Sequence, residues 1–286
     1  MRKLYDVDCD GNCAGCASAN PDGTCGASGG GIEKCKPNAS TKIKKIIGVV
    51  SGKGGVGKSF VTSLIASYLN KEGKKVGILD GDIVGPSIPK AFNIHSAAYG
   101  NAEKLIVPAK TESGIKLIST NMMLEHEDDP IIWRGSLVSS LLKQFYTDVA
   151  WGELDVLLID MPPGTSDVTL TAFQSLPLDG IVIVTSPQDL VSLIVKKAIN
   201  MAKMMNIPIL GAVENMSYVL CPKCENKIEI YGPSKLDSFS KETGVDPLAR
   251  LPIKEGTSAL IDNGRVEEVS LDEIKPVIEK INDLRK

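Results

Sequence analysis

A glycine-rich octapeptide at residues 52–59 constrains the fold of this chain more than any other feature, because of what lies on either side of it. The mostly aliphatic run 46–50 before it has the composition of a buried strand, and residues 60–69 after it have the pattern of a helix. The octapeptide itself consists of Gly52, Lys53, Gly54, Gly55, Val56, Gly57, Lys58 and Ser59. Strand, loop and helix in this order predict a phosphate-binding loop, or P-loop.

The residue types of this loop fit the chemistry of a nucleotide. Glycines allow backbone N–H groups to close around phosphate oxygens, and the N-terminus of the following helix adds a favourable dipole. Lys58 supplies a positive charge for the outer phosphates, and the Ser59 hydroxyl is a ligand for Mg²⁺. The sequence therefore predicts a nucleotide site that uses Mg²⁺.

From residue 42 onward, short β-rich runs alternate with helical stretches, which predicts one α/β domain over residues 42–286. The predicted strands are 46–51, 76–80, 114–119, 156–160, 180–185 and 209–213. The predicted helices are 58–71, 136–148, 189–205, 233–243 and 271–284. The strand runs are continuously aliphatic, as in parallel strands that are covered on both faces. We expect a doubly wound, mostly parallel sheet of the P-loop NTPase class, with ligands at the carboxyl ends of the strands.

Three aspartates stand at the ends of predicted strands. Asp80 and Asp82 follow the second strand, and Asp160 follows the run Val-Leu-Leu-Ile directly, as a Walker-B carboxylate does. Such a carboxylate holds Mg²⁺ through its water shell, and hydrolysis needs a further group to orient the attacking water. We expect Asp160 to serve Mg²⁺, with Asp80 supporting either the metal or the loop.

Residues 1–41 differ in composition from the rest of the chain. They are rich in Gly, Asn, Asp and Ser, with few aliphatic residues, so they cannot bury enough apolar surface to fold unaided. Five of the seven cysteines lie here: Cys9, Cys13, Cys16, Cys25 and Cys35. Metal ligation can supply folding free energy to such a segment, and we predict a metal-binding extension.

The remaining two cysteines form the sequence Cys221-Pro222-Lys223-Cys224. A CxxC pair in a turn presents two thiolates, which is half of a tetrahedral site. A two-fold dimer axis would supply the other half, because such an interface repeats the same residues. Zn²⁺ and a 4Fe–4S cluster both accept four thiolates, so the spacing leaves the metal open. A redox pair and two inert thiols are the remaining alternatives.

Bulk properties exclude several classes of protein. The formal net charge of −3 and a pI near 5.6 give no electrostatic basis for nucleic-acid binding. No window approaches 18 consecutive apolar residues, and the N-terminus lacks the apolar core of a signal peptide. The polar face of the last predicted helix mixes acidic and basic residues, so we expect it to pack on the domain rather than on a membrane. These features predict a cytoplasmic protein, where thiols stay reduced.

The two lysines of the loop, in the form Lys-Gly-Gly-Val-Gly-Lys, resemble the deviant-Walker ATPases of the MinD/ParA group. Further motifs occur in one order together with the loop, at residues 82–89, 132–135, 160–167, 213–217 and 221–224. The combination, over about residues 42–270, resembles the Mrp family of P-loop ATPases that carry iron–sulfur clusters.

This resemblance implies a homodimer in which Lys53 reaches the partner's ATP, Asp82 positions the attacking water and Asn215 contacts adenine. It also implies a labile 4Fe–4S cluster bridged by Cys221 and Cys224 of both subunits, with transfer to apo-proteins. Nothing in the sequence supports GTP, because Asn226-Lys227-Ile228-Glu229 only approximates a guanine-binding motif and does not follow a strand.

The N-terminal cysteines resemble those of a longer, cytosolic scaffold branch of this family, which holds a second 4Fe–4S cluster. The core Cys13-Ala14-Gly15-Cys16 matches that branch, whereas the outer spacings differ. We choose Cys9, Cys13, Cys16 and Cys25 as ligands. The spacing leaves open which four of the five cysteines bind, and a zinc knuckle is the alternative.

Three other functions share parts of this sequence pattern. A positioning or partition ATPase would use the same loop but has no need of clustered cysteines. An ATP-driven electron-transfer reductase would share the loop and a bridging cluster, and a zinc-stabilised regulatory ATPase would share the cysteines. Metal analysis of protein purified without air separates them best.

Overall fold

The structure is a computed structural model that describes residues 34–82, 87–123, 135–188, 193–221, 223–224 and 226–284. Its strands are β1 (Lys42–Ser51), β2 (Val76–Asp80), β3 (Tyr99–Gly100), β4 (Ile106–Val107), β5 (Ala109–Lys110), β6 (Lys116–Ser119), β7 (Glu153–Asp160), β8 (Gly180–Thr185), β9 (Ile209–Glu214), β10 (Val219–Leu220), β11 (Lys227–Ile228) and β12 (Pro247–Arg250). Its α-helices are α1 (Lys58–Lys71), α2 (Ile88–Ala91), α3 (Gly135–Thr147), α4 (Asp167–Ser175), α5 (Leu193–Met204), α6 (Leu236–Thr243), α7 (Thr257–Asp262) and α8 (Lys275–Asp283).

Eight of these strands form one sheet in the order β12-β9-β8-β1-β7-β2-β6-β5. All neighbours in it are parallel except β5 and β6. The central strands are buried along most of their length, as expected for strands covered on both faces. The predicted doubly wound, mostly parallel α/β fold is confirmed.

The order of the sheet brings the functional strands together. Strand β7 lies between β1, which leads into the P-loop, and β2. In this register Asp80 of β2 is directly opposite Asp160 of β7. Because parallel strands end at the same edge, both aspartates meet the loop that follows β1.

Several elements differ from the prediction. The predicted strand 46–51 begins earlier, at Lys42, and the predicted last helix becomes a 3₁₀ turn (Asp272–Ile274) followed by α8. Helices α2, α4 and α7 and strand β12 were not predicted. The apolar side chains Val277, Ile278 and Ile281 of α8 are buried, so α8 packs on the domain as expected. Within the described ranges, no helix has the length and apolar character that crossing a membrane requires.

The compact unit that the structure describes begins at Lys34. The backbone N–H of Cys35 donates to the Ser175 carbonyl at 2.7 Å. The Asn38 side-chain amide donates to the carbonyls of Thr147 and Val149, both at 2.8 Å. Residues 34–41 therefore hydrogen-bond to the α/β core, although their composition groups them with the extension. The division of the chain at residue 41 stays a prediction.

Candidate nucleotide site and cysteine hairpin

The glycine-rich loop joins the buried end of β1 to the first residue of α1, Lys58. Gly55 and Gly57 both have positive φ, 82° and 78°. Side chains other than glycine rarely adopt this conformation. A Cβ on Gly57 would also collide with the Asn215 amide nitrogen. Position 57 therefore requires glycine for its backbone angle and for space.

Lys58 points back from α1 to the end of β7. Its Nζ lies 2.5 Å from Asp160 Oδ2, and the two side chains are 5% and 0% exposed. Ser59 Oγ donates to the same carboxylate oxygen at 2.6 Å, and Thr62 Oγ1 donates to Asp160 Oδ1 at 2.7 Å. Asp82 Oδ2 lies 3.6 Å from Lys58 Nζ. The predicted residues Lys58, Ser59, Asp82 and Asp160 thus form one cluster.

Asp80 completes the acidic side of this cluster. It is fully buried and accepts hydrogen bonds from Ser119 Oγ at 3.0 Å and from the backbone N–H of Asp82 at 3.1 Å. Burial, followed by the nearby Asp160 carboxylate, raises the pKa of Asp80 to about 8, against the opposing effect of Lys58. Two adjacent buried carboxyl groups cannot both ionise cheaply, and one lysine between them favours a single negative charge.

A cavity of about 300 Å³ opens over the loop. Its polar wall includes Lys53, Lys58, Ser59 and Asp82, and Pro163 of the loop after β7 also lines it. Lys53 is exposed at its rim, as a residue that reaches outward would be. An apolar wall comes from α1, α2, α7 and the following turn, through Phe60, Ile88, Ala91, Ile261 and Val266.

The donor set of this cavity fits Mg²⁺ and phosphate. Mg²⁺ prefers hard oxygen ligands, and Ser59, Asp82 and Asp160 supply a hydroxyl and two carboxylates beside one another. Phosphate oxygens fit the lysine and the backbone N–H groups of the glycine loop. The arrangement can bind a nucleotide phosphate chain together with its divalent cation.

Asn215 contacts the loop from the opposite side. It follows β9, is buried, and its Nδ2 donates to the Val56 carbonyl at 3.0 Å. The family resemblance implies a contact of Asn215 with adenine. The structure places the side chain beside the loop, where it fixes the backbone at Val56.

Cys221 and Cys224 lie at the end of a small hairpin made by β10 and β11. The Cys221 N–H donates to the Asn226 carbonyl at 3.0 Å, and neither cysteine is in a disulfide. Cys221 is half-buried and Cys224 is exposed. Backbone N–H groups of Lys223 and Cys224, together with the Cys224 thiol, lower the pKa of the Cys221 thiol. Hydrogen bonds to sulfur favour the thiolate, which is the metal-ligating form.

The surroundings of these two thiols in the described residues decide how many metal ligands one chain can offer here. Among the described residues, His, Cys, Asp and Glu nowhere form a group of three or more that could hold a metal ion. Within the described part of the chain, the hairpin therefore offers two thiols and no third metal-ligating side chain beside them. Exposed apolar side chains lie in the hairpin, directly after it in the chain, or bridged to it through Val219: Leu220, Ile228, Ile230, Tyr231 and Ile253.

The N-terminal cysteines Cys9, Cys13, Cys16 and Cys25, which we expect to bind metal, lie outside the described residues. Cys35 is described, and it is half-buried with its backbone tied to Ser175.

Some functional residues were not found by sequence reasoning. Thr62 lies one helical turn after Lys58, and this spacing was a usable signal for its contact with Asp160. Ser119 ends β6, so a search for polar residues at strand ends would have found it. Tyr218, described below, makes contacts with residues distant in sequence and gave no local signal.

Strand β1, the glycine loop and the paired Lys58 and Asp160 define a P-loop NTPase with the MinD/ParA type of fold. The comparison with known families agrees, since the model described as ParA: NUBPL iron-transfer P-loop NTPase matches residues 42–284. The chain belongs to this NUBPL iron-transfer P-loop NTPase family.

Relatives of similar length share much of the sequence. The chain is 45% identical over 271 residues to a protein of Clostridium perfringens named iron-sulfur cluster carrier protein, covering 90% of this chain and 94% of that one. It is also 45% identical over 283 residues to a protein of the same name from Methanocaldococcus jannaschii, covering 96% and 97%.

Solved structures give the same fold. A nucleotide-binding protein from Archaeoglobus fulgidus, in complex with ADP and with cobalt present, is 41% identical with a TM-score of 0.73. The match covers 82% of this chain and 91% of that one. The cell division ATPase MinD of Pyrococcus furiosus is 20% identical with a TM-score of 0.60, covering 85% and 100%, and supports the fold alone.

Proposed function

We propose that this chain is an ATP-binding, slowly hydrolysing carrier that assembles a 4Fe–4S cluster and transfers it to apo-proteins as a homodimer in the cytoplasm. The observation that carries the proposal is the pair Cys221 and Cys224, which stand beside each other on an exposed hairpin of a P-loop NTPase. The names of the relatives from Clostridium and Methanocaldococcus support it.

The nucleotide half of the function rests on the Lys58 cluster. When ATP binds, Lys58 neutralises the outer phosphates, and Ser59 and Asp160 would hold Mg²⁺, which supplies further charge neutralisation. Asp82, whose Oδ2 lies 3.6 Å from Lys58 Nζ, would orient the attacking water. Lys53, exposed at the rim of the cavity, would reach the nucleotide of a second subunit.

The iron–sulfur part of the proposed function depends on the hairpin that carries Cys221 and Cys224. Two thiolates per chain make four when two chains meet around a two-fold axis, and four thiolates are the ligand set of a 4Fe–4S cluster. The exposed apolar side chains around the thiols favour such an association, because burying them removes apolar area from water. A cluster shared between two chains is cargo that can leave when the chains separate.

A second cluster at Cys9, Cys13, Cys16 and Cys25 is part of the proposal. It would give the N-terminal extension the folding free energy that its composition lacks. Variants of Cys13 test it independently of the hairpin.

The test is quantification of iron, sulfide and zinc in full-length protein that is purified and reconstituted without air. The hairpin site should contribute about four irons and four sulfides per two chains. Cys221→Ala and Cys224→Ala should each abolish this fraction, and Cys13→Ala should remove only the N-terminal fraction. Cys35→Ala is the matched control, because Cys35 is a half-buried thiol outside both proposed ligand sets.

A transfer assay completes the test. Loaded protein should restore the cluster spectrum of an apo-protein that has an unoccupied four-cysteine site, and Cys221→Ala should not. Zinc as the sole metal, or protein that stays monomeric with ATP and cluster, would refute the carrier assignment. Zinc would then favour the zinc-stabilised regulatory ATPase.

A further inference from the structure

One short segment, residues 214–221, contacts the phosphate loop near its start and ends at Cys221, the first cysteine of the hairpin. It leaves β9 at Glu214, and Asn215 immediately donates its side-chain hydrogen bond to the Val56 carbonyl in the loop. The same segment then forms β10 and reaches Cys221. One hydrogen bond therefore joins the loop backbone at Val56 to the segment that leads to Cys221.

The start of this segment is fixed from several directions. The backbone N–H of Asn215 donates to the Thr185 carbonyl at 2.8 Å, and that of Ser217 donates to the Leu251 carbonyl at 2.9 Å. Ser217 Oγ donates to Glu214 Oε1 at 2.6 Å. These bonds leave the segment little freedom to move independently of the ends of β8, β9 and β12.

Tyr218 fixes the base of the hairpin. Its hydroxyl donates to Glu273 Oε1 at 3.2 Å, and its carbonyl accepts from the Ile253 N–H at 2.7 Å. Lys227 of β11 lies with its Nζ 4.5 Å from the centre of the Tyr218 ring. One side chain thus holds both strands of the hairpin and ties them to the C-terminal 3₁₀ turn.

The segment also contains two energetically costly features. Met216 has a φ of 57°, the left-handed region that side chains other than glycine and asparagine rarely enter. Glu214 is fully buried, and its Oε2 has no hydrogen-bond partner among the described residues. Strained backbone persists where the surroundings enforce it, and it is concentrated at active sites, ligand clamps and switch regions. A buried carboxylate oxygen without a partner is uncommon and calls for an explanation.

Met216 also lies close to the nucleotide loop. Its Cε lies 3.8 Å from the position that a Cβ on Gly57 would occupy, next to the Asn215 amide. Asn215 therefore bonds to the glycine loop, and the next side chain, Met216, lies beside the space next to Gly57.

We propose that residues 214–218 are a mechanical link through which nucleotide in the loop changes the exposure of the Cys221 and Cys224 thiols, with Met216 and Tyr218 as its positioning residues. The proposal rests on the nucleotide-binding half of the proposed function and needs no iron or sulfide. The link acts within one chain, so its effect is independent of protein concentration.

The experiment measures alkylation by iodoacetamide in reduced, metal-free, full-length protein, with peptide mass spectrometry to resolve each cysteine. Saturating Mg-ADP should change the alkylation rate of Cys221, Cys224 or both by about fivefold, the lower end of coupling between linked sites. The rate at Cys35 should stay unchanged. The Mg-ADP ratio, meaning the alkylation rate with Mg-ADP relative to the rate without it, should be the same over a wide range of protein concentration. If a second subunit covered the thiols instead, the size of the Mg-ADP effect would rise with protein concentration.

Two pairs of variants locate the effect. Met216→Gly makes the left-handed residue flexible and should bring the Mg-ADP ratio close to one while ADP still binds. Asn206→Gly is its control, because Asn206 also has a positive φ, 54°, at a helix end away from this segment. Tyr218→Phe removes the bond to Glu273 and should also reduce the ratio, whereas Tyr231→Phe, on an exposed neighbouring tyrosine, should not.

The outcomes separate the two proposals. If bound ADP leaves the alkylation rates of Cys221 and Cys224 unchanged in the unmodified protein, the proposed link is wrong. It is also wrong if Met216→Gly and Asn206→Gly reduce the Mg-ADP effect on these rates equally. Absence of iron and sulfide loading, with the nucleotide-dependent alkylation intact, overturns the carrier function and leaves the link in place.

Discussion

Asp80 and Asp160 are register partners at the carboxyl ends of adjacent strands, and both are fully buried. Lys58 is the basic side chain whose positive charge acts on both carboxyl groups. This relationship makes the nucleotide site sensitive to pH and to loss of the lysine.

The raised pKa of Asp80 predicts a pH-dependent stability. The unfolded chain loses the Asp80 proton near pH 4, whereas the folded chain keeps it until about pH 8. Between these values the folded state binds more protons, so this group makes the free energy of unfolding fall as pH rises, by at most about 1.4 kcal/mol per pH unit. Above pH 8 its effect is constant. Urea unfolding of nucleotide-free protein and of Asp80→Asn at several pH values should show this slope only in the former. If the free energy of unfolding of the unmodified protein, relative to that of Asp80→Asn, stays flat or rises with pH, the pKa of Asp80 is not raised in the folded protein.

Removing the cation from the buried pair should destabilise the protein. Lys58→Met leaves the Asp160 charge buried with only the hydroxyls of Ser59 and Thr62, and breaking a buried pair in this way costs about 3 kcal/mol. The same variant should lose ADP binding in calorimetry. Lys44→Met breaks the exposed pair with Asp155 and should cost far less, because solvent screens exposed charges. Equal losses in the two variants would show that the Lys58 pair is not special.

Two glycines of the loop provide a matched comparison. Gly55 and Gly57 both have positive φ, but a Cβ on Gly55 meets nothing within 4 Å, whereas one on Gly57 collides with Asn215. Alanine at either position carries the backbone cost, and only Gly57→Ala adds overpacking of about 1–3 kcal/mol. Thermal unfolding and ADP titration should both rank Gly57→Ala as the more damaging. If Gly55→Ala lowers the unfolding temperature as much as Gly57→Ala does, the collision with Asn215 is not the reason that position 57 requires glycine.

The lowered pKa of Cys221 predicts a difference in thiol chemistry within the hairpin. The rate of Cys221 alkylation should reach half of its maximum at a lower pH than that of an ordinary thiol, because hydrogen bonds stabilise the thiolate. Cys224→Ala removes one of these bonds and should move the midpoint of Cys221 upward. Stopped reactions at several pH values, read by mass spectrometry, give both midpoints. A midpoint that does not respond to Cys224→Ala would exclude the thiol–thiol bond.

Sequence alone could predict the elements with strong local signals. The P-loop, the long aliphatic strands and the strand-end aspartates all carry such signals, and the structure brings Lys58, Ser59, Asp82 and Asp160 together as expected. The raised pKa of Asp80 could not be predicted, because it depends on β7 lying between β1 and β2.

The elements that were missed are short or have weak propensity. Helix α4 is rich in threonine and β-branched residues, although Ser166 at its N-cap, which accepts from the Thr169 N–H, was a readable signal. Strand β12 is a four-residue edge strand that begins with proline. The role of Tyr218 depends on Glu273, which lies 55 residues away in sequence.

The three bonds that Asp160 accepts from Lys58, Ser59 and Thr62 of α1 have a consequence for ligand choice. Lys58 and Ser59 already satisfy a carboxylate, so an incoming phosphate chain has to displace an anion that the protein itself supplies. If the nucleotide binds without a divalent cation, the Asp160 carboxylate loses its bonds to Lys58 and Ser59 and lies beside the negative charge of the phosphates, with no cation to compensate it. The protein should therefore discriminate strongly between metal-complexed and metal-free nucleotide, and chelation alone should be enough to expel the ligand.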